Sequence, residues 1–351
     1  MKNYPFISIL MPVRNEGAFM QRSLNAVRAQ DYPSDRTEIL VIDGMSTDNT
    51  RRIIMEIQAC DSRVKLIDNP GRIVPTGLNA GLAVANGEVI VRVDGHCEIA
   101  ADYVRRCVDH LKRDDLDAVG GPLDTVGETR MAMAIAVAMS SPFGVGGSAF
   151  RTVKGKSMLT DTVAFPAYKR SVVEKAGPFD EELVRNQDDE YNYRLRKLGA
   201  KILLAADVHC RYYSRSSLRL LARQYFQYGY WKVRVLQKHP GQMHPRQFVP
   251  FLFVLSLMTL MLASLFSGFA RWALAIEVML YVSANLLASI LRARKGNGGR
   301  LIYLPAVFAA LHLSYGFGFT AGLIKFRNRW RAAPPMKKAT ALPRLSGSTQ
   351  G

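Results

Sequence analysis

Along the first 120 residues, short apolar runs alternate with stretches whose apolar residues recur every three or four positions. The runs ISILMPV (7–13), EILVID (38–43), VKLID (64–68), EVIVRVD (88–94) and DAVGG (117–121) have the length of strands. Helical spacing fills about 17–29, 46–59, 76–86 and 101–113, with Ser46-Thr47-Asp48 as the cap of the second. Nearly continuous apolar strands joined through helices predict an α/β fold: a Rossmann-like, mostly parallel sheet covered by helices on both faces. Further on, RMAMAIAVAMSS (130–141) reads as a core helix and FGVGGSAFRTVKGK (143–156) as a mobile basic loop. QDDEYNYRLRKLG (187–199) reads as a helix stopped by Gly199, and KILLAADV (201–208) as a strand.

Past residue 213 the pattern changes. In 214–239, Leu218, Leu221, Tyr225 and Tyr228 recur at helical spacing beside Arg215, Arg219 and Arg223, with no acidic residue. This predicts an amphipathic interfacial helix region (214–246) on anionic lipid. A membrane region (247–331) follows. Its uncharged run 248–269 and the run 272–291, broken by Glu277, have the length of spans. The third run, 301–324, holds Pro305, His312 and several glycines. It is expected to be interfacial or re-entrant, because a third crossing would carry Lys325, Arg327, Arg329, Arg331, Lys337 and Lys338 outward against the positive-inside rule. Two crossings return the chain inside at 292–300, and 332–351 reads as a disordered basic tail.

Charge sharpens this division. The chain of 351 residues carries a formal +18, yet beyond Asp207 twenty Lys and Arg face the single acid Glu277. The first 207 residues are therefore close to neutral, and the basic excess lies with the apolar runs. That pairing points to an anionic membrane surface and away from nucleic acid. The amino terminus has no signal-peptide pattern, so the first half is expected on the cytoplasmic side of a bacterial inner membrane crossed more than once. Cys60, Cys97, Cys107 and Cys210 show no paired spacing and read as reduced thiols, mostly in the core.

In open α/β sheets, ligands bind beyond the carboxyl ends of the strands. There the first strand ends in Pro12-Val13-Arg14-Asn15-Glu16, the second in Asp43-Gly44 and the fourth in Asp94-Gly95-His96. A carboxylate and an imidazole two residues apart after a strand form either a turn or a metal site. No GxGxxG follows the first strand and GxxxxGK[ST] is absent, so a nucleotide here would be held by side chains and a metal. Asp188 sits near a helix amino end, where a carboxylate is favoured.

The stretches MPVRNE (11–16), VIDGMSTDNT (41–50), GLNAGLAVANGEVIVRVDGH (77–96), GPFDEELVRNQDDEYNYRLRKLG (177–199) and RQYFQYGYWK (223–232) resemble family 2 glycosyltransferases of the GT-A fold. The likeness is greatest to the succinoglycan-type glucosyltransferases of bacterial exopolysaccharide assembly. It implies a GT-A catalytic domain over 1–213 and a nucleotide-sugar-dependent hexosyltransferase. Asp43 would accept from the nucleotide base, walled by Pro12, Arg14, Asn15 and Glu16, with Asn79 and Asp94 among the donor contacts. Asp94 and His96 match the D-x-D metal motif for Mg2+ or Mn2+, the imidazole favouring Mn2+. His209 matches a histidine that in some members reaches metal or diphosphate. Asp188 matches the general base, and a single base implies inversion. Gln224 and Trp231 fall on the acceptor and membrane side. The implied partners are a nucleotide-sugar donor, expected to be a UDP-sugar, and a polyprenyl-diphosphate-linked or growing glycan acceptor.

Three positions depart from the family pattern: Gly44 replaces the second Asp of D-D-G-S-T-D, His96 the second Asp of D-x-D, and Gln187 the Glu before the base. The Q-x-x-R-W signature of processive synthases is missing, since Gln224 is followed by Gln227, Tyr228 and Trp231. This argues against a processive polysaccharide synthase. The presence of Asp94 and Asp188 argues against a non-catalytic sugar-nucleotide-binding scaffold.

Overall fold

The computed structural model describes residues 4–113, 115–294 and 302–330. In chain order its main elements are β1 (Ile7–Val13), α1 (Met20–Arg28), β2 (Thr37–Asp43), α2 (Thr50–Cys60), β3 (Val64–Asp68), α3 (Val74–Val84), β4 (Val89–Arg92), β5 (Cys97–Ile99), α4 (Tyr103–Arg113) and β6 (Ala118–Gly121). Next come β7 (Leu123–Val126), α5 (Arg130–Met139), α6 (Pro142–Val145), α7 (Ala149–Thr152), β8 (Met158–Leu159), β9 (Ala164–Lys169), α8 (Arg170–Ala176), α9 (Gln187–Lys197), β10 (Ile202–Leu204) and β11 (Cys210–Tyr213). The last four helices are α10 (Leu218–Lys238), α11 (Val249–Ala263), α12 (Gly268–Ala293) and α13 (Leu304–Lys325). The described chain forms two compact units: residues up to Pro122 with Gly155–Cys210, and Leu123–Lys154 with the residues from Arg211 onward.

The first unit is built on an eight-stranded sheet of order β3-β2-β1-β4-β9-β6-β10-β8. β1 is parallel to both β2 and β4, and β2 to β3. β1 and β2 are buried along their whole length, as their unbroken apolar runs require. Register brings the carboxyl ends level: Val13 lies beside Asp43, and Asp43 beside Asp68. Arg92 lies beside Leu10, which puts Asp94 at the height of the end of β1.

One central strand is not legible in the hydrophobic pattern. β9 runs antiparallel between β4 and β6, although its sequence AFPAYK contains Pro166. A proline is excluded from a regular central ladder because it has no N–H. Here the pairing with β6 shifts between Val119↔Ala167 and Gly121↔Ala164, and Pro166 falls inside that irregularity, next to Phe165 at φ 49°. The segment expected as one mobile loop, 143–156, contains the short helices α6 and α7.

In the second unit, α10 packs along α13. A Cβ on Gly229 would lie 2.0 Å from the Tyr315 carbonyl oxygen, and one on Gly318 would lie 2.0 Å from that of Phe226. Backbones this close exclude any side chain at either position. Of the expected apolar stripe, Leu221 and Tyr225 of α10 are buried, and Leu218 and Tyr228 are partly exposed. A 3.6-residue period has the same form whether lipid or another helix covers it.

The membrane runs also differ from expectation. Segment 248–269 does not make one span, because α11 stops at Ala263 and Ser267 caps α12, its side chain accepting from Ala270 N–H. Fifteen helical residues reach about 22 Å, short of a hydrocarbon core of about 30 Å. Conversely, 301–324 contains the continuous α13, because Pro305 falls in the first turn, where no helical N–H is lost. Among the described residues, the 26-residue α12 and the 22-residue α13 are the two helices long and apolar enough to cross a membrane, which corrects the expected pairing of 248–269 with 272–291 as the spans of a multi-pass protein. Most of the expected return segment 292–300, together with the tail 332–351, lies outside the described residues. Polar groups repeat every fourth residue on α12: Glu277 accepts from Ser256 of α11, Tyr281 meets His312 Nδ1 at 3.1 Å, and Asn285 donates to the Pro305 carbonyl at 3.0 Å. Such bonds join helices that apolar contact alone would leave free to slide in lipid.

Gly318→Val should destabilise the α10–α13 pair by upwards of ~3 kcal/mol, since a backbone carbonyl cannot give way as a side chain can. Thermal melting in detergent checks this, and an unchanged midpoint would contradict the close approach.

Candidate active site

The site is assembled at the carboxyl edge of the first unit's sheet. Asn15, in the left-handed region at φ 55°, donates its N–H to Ser46 Oγ (2.9 Å) and accepts from Thr47 N–H through Oδ1 (2.8 Å). Glu16 N–H donates to Thr50 Oγ1 (2.8 Å), and Gly17 N–H to Asp48 Oδ2 (3.0 Å). The loops after β1 and β2 are thus knitted into one wall.

Asp43 stands at the end of β2 with no exposed surface. Its oxygens accept from Ser46 Oγ at 2.5 Å, from Ser46 N–H at 3.2 Å and from Arg51 Nη1 at 3.2 Å. The carboxylate expected to face a nucleotide base is therefore engaged by its own loop. Arg51 continues to Asp68 Oδ1 at 2.6 Å, and Asp68 is exposed. Asp68 carried no sequence motif; its signal is register, since it ends β3 beside Asp43. At the Gly44 departure a Cβ would lie 3.2 Å from Arg14 Cβ and Cδ, so an aspartate there would require the arginine stem to shift by a few tenths of an ångström. Arg14 Nη1 reaches the Arg72 carbonyl at 3.3 Å. Pro12 is buried within β1. Asn79 staples α3 to the loop before α9, accepting from Phe179 N–H (2.8 Å) and donating to Phe179 O (3.0 Å) and Glu181 Oε1 (2.8 Å).

The centre of the edge is electrostatic. Arg92, the one charge in the apolar run of β4, is buried. Its Nε donates to Asp94 Oδ1 at 3.0 Å and its Nη2 to Asp94 Oδ2 at 3.3 Å, while Nη1 lies 4.0 Å from Asp188 Oδ2. Burial works against its charge, but the nearby carboxylates of Asp94 and Asp188 outweigh burial and hold the guanidinium more firmly protonated than usual. Asp188 sits in the first turn of α9 after Asn186, a left-handed cap residue at φ 63°. Its side chain is half exposed. The adjacent acids divide differently: Glu190 turns inward to a buried pair with Arg194 at 2.6 Å. The turn after Asp94 is pinned by Ser23 Oγ, which donates to the Cys97 carbonyl at 2.5 Å. Cys97 is a packed neighbour whose thiol is pushed up by burial. His96 Nδ1 lies 2.9 Å from Glu16 Oε1. A carboxylate only accepts, so neutral His96 carries its proton on Nδ1 and its lone pair on Nε2. His209 is exposed, and its carbonyl accepts from Ala100 N–H at 3.0 Å.

Among the described residues no group of three or more His, Cys, Asp and Glu could hold a metal ion by itself. Asp94 and His96 are the residues at this edge that would contribute donors to a cation taking its remaining ligands from a phosphate group, with Glu16 behind the imidazole as a carboxylate commonly stands behind a histidine ligand. Gln224 and Trp231 belong to the second unit. Gln224 is buried and donates to Tyr228 Oη at 2.9 Å; Trp231 packs against Phe326 with ring centres 5.6 Å apart.

Comparison with known proteins places these features. The sequence profile described as Glycosyl transferase family 2 matches residues 8–177. The succinoglycan biosynthesis protein ExoA of Rhizobium meliloti is 30% identical over 333 residues, covering 92% of this chain and 96% of that protein. A dolichyl N-acetyl-alpha-D-glucosaminyl phosphate 3-beta-D-2,3-diacetamido-2,3-dideoxy-beta-D-glucuronosyltransferase of Methanococcus voltae is 28% identical, covering 91% of this chain and 98% of that one. Among solved structures, the mannosyltransferase PcManGT of Pyrobaculum calidifontis, in complex with GDP-Man and Mn2+, superposes with a TM-score of 0.55 at 19% identity, covering 90% of this chain and 88% of that one. The fold is the GT-A fold expected from the sequence.

Asp43→Ala should cost about 1–3 kcal/mol, because the buried carboxylate accepts from the part-buried Ser46 N–H and hydroxyl and from Arg51, and all three lose that partner. Asp68→Ala, an exposed partner of the same arginine, should cost under about 1 kcal/mol. Urea midpoints of the two variants compare these costs; equal losses would contradict the internal role of Asp43.

Proposed function

The chain belongs to glycosyl transferase family 2, and from that premise we propose that it moves a hexose from a nucleotide-sugar, with inversion, to a lipid-linked or growing glycan acceptor at the cytoplasmic face of a bacterial membrane. The observation that carries this reading is the meeting of Asp94 and Asp188, 94 residues apart in sequence, on one buried guanidinium at the open edge of the sheet.

Transfer asks for two things at that edge. The acceptor hydroxyl must lose its proton as it attacks the anomeric carbon, and a half-exposed carboxylate on a rigid helix end is suited to take it; this is the role of Asp188. The leaving diphosphate gathers negative charge. Asp94 and His96, the latter oriented by Glu16, would hold a divalent cation, which when bound supplies compensation for that charge. Arg14 and Asn15 would line the nucleotide side, on a wall that Asp43 holds rigid from within. Support for a nucleotide-sugar with a cation comes from the GDP-Man and Mn2+ bound by PcManGT, and support for a lipid-linked acceptor from the dolichyl-linked compound named for the Methanococcus voltae relative. Helices α12 and α13, with the basic excess of the same half of the chain, suit attachment to an anionic bilayer, where such an acceptor resides.

The test is nucleoside diphosphate release by the purified protein in vesicles containing polyprenyl-linked acceptors, across a panel of UDP- and GDP-sugars with Mn2+ or Mg2+. One donor should support release, and Asp188→Asn should fold as wild type and lower it by about 10²–10⁴-fold. No release with any donor, or an Asp188→Asn rate within tenfold of wild type, would sink the reading.

A further inference from the structure

A fully charged side chain inside a strand of valines and isoleucine calls for an explanation. Burying a guanidinium is costly unless carboxylates and hydrogen bonds compensate it. Arg92 cannot escape by losing its proton. Both of its neighbouring carboxylates belong to the proposed reaction: Asp94 is held side-on by two hydrogen bonds, and Asp188 lies 4.0 Å from the remaining terminal nitrogen. Structural ion pairs elsewhere in this unit, such as Glu190–Arg194, close on residues with no part in the site.

The approach of α9 to β4 is also fixed from behind. Tyr168 of β9 donates its hydroxyl to Asn192 Oδ1 at 2.9 Å, and Asn192 Nδ2 donates to Thr162 Oγ1 at 2.8 Å. Asn192 is buried one turn beyond Asp188. The helix end that carries Asp188 is therefore anchored to the strand next to β4, and the guanidinium spans what is left of the gap.

Resting on the transferase reading above, we propose that Arg92 is a positioning residue for transfer: one planar guanidinium sets the spacing and orientation of Asp94 against Asp188. The carboxylate on the donor side and the base on the acceptor side are then held by a strand, not by two independent loops. The fork shape matters as much as the charge, since an ammonium group is a point charge with no planar fork to meet both carboxylates. Misplacement of catalytic groups by about 1 Å costs on the order of 100-fold in rate.

The experiment compares Arg92→Lys with wild type and with Asp188→Asn in the nucleoside diphosphate release assay, with circular dichroism and melting as the check on folding. The expected result is a folded Arg92→Lys whose KM for the donor changes less than about threefold while kcat falls at least about 30-fold. In the Asp188→Asn background the same change should add less than about threefold, because the spacing Arg92 sets matters for the rate only when the Asp188 carboxylate is there to act as base. A folded Arg92→Lys with kcat within about threefold of wild type, beside an inactive Asp188→Asn, overturns the positioning role and leaves the base assignment standing. An active Asp188→Asn overturns both. If Arg92→Lys does not fold, Arg92→Gln, which keeps a planar donor, is read by the same criteria. Failure of both variants to fold assigns Arg92 to the fold alone and overturns the proposal.

Discussion

A guanidinium that cannot give up its proton, buried in the middle of a sheet, has to be met by carboxylates, and the candidate active edge of this protein is organised around that requirement. Arg92 reaches Asp94 through two hydrogen bonds and lies within ion-pair distance of Asp188. Strand β4 places the arginine, the turn pinned by Ser23 places Asp94, and α9, anchored one turn further on at Asn192, places Asp188. Remove the guanidinium, and Asp94 loses both of its hydrogen bonds from Arg92 and Asp188 its ion-pair partner across the gap.

The same economy of contacts shapes the loops around it. Asp43 spends its hydrogen-bonding capacity on Ser46 and Arg51, which fixes the wall that Asn15 and Thr47 complete. Glu16 closes on His96 across the small residue Gly95, where a Cβ would come within 3.0 Å of the Glu16 side chain. In the second unit, close packing replaces charge. Gly229 and Gly318 let α10 and α13 touch backbone to backbone, and a ladder of polar groups on α12 ties three apolar helices together.

The parallel half of the sheet was legible because β1, β2 and β4 are buried apolar runs joined through helices. β9 was not, because Pro166 speaks against a central strand until the ladder irregularity around it is seen. Hydropathy located the membrane-type segments but not their breaks. Ser267 splits one run that counts as a span, and Pro305 leaves another unbroken because of where it falls in the helix. At the site, sequence placed Asp43, Asp94, His96 and Glu16 on one edge but could not say which way each carboxylate is used. Asp43 faces inward, and Asp68 takes the exposed position at the same edge. Arg92 stood in plain view in VIVRVD. Its importance shows only once β4 is central and the arginine is known to be buried.

If Asp188 is the single base acting opposite the leaving group, transfer proceeds by one displacement and the sugar changes configuration at its anomeric carbon. The anomeric proton coupling of the isolated product, compared by NMR with that of the donor, reads this directly. The single-base proposal predicts the opposite configuration in product and donor, and retention of the donor's configuration would contradict it.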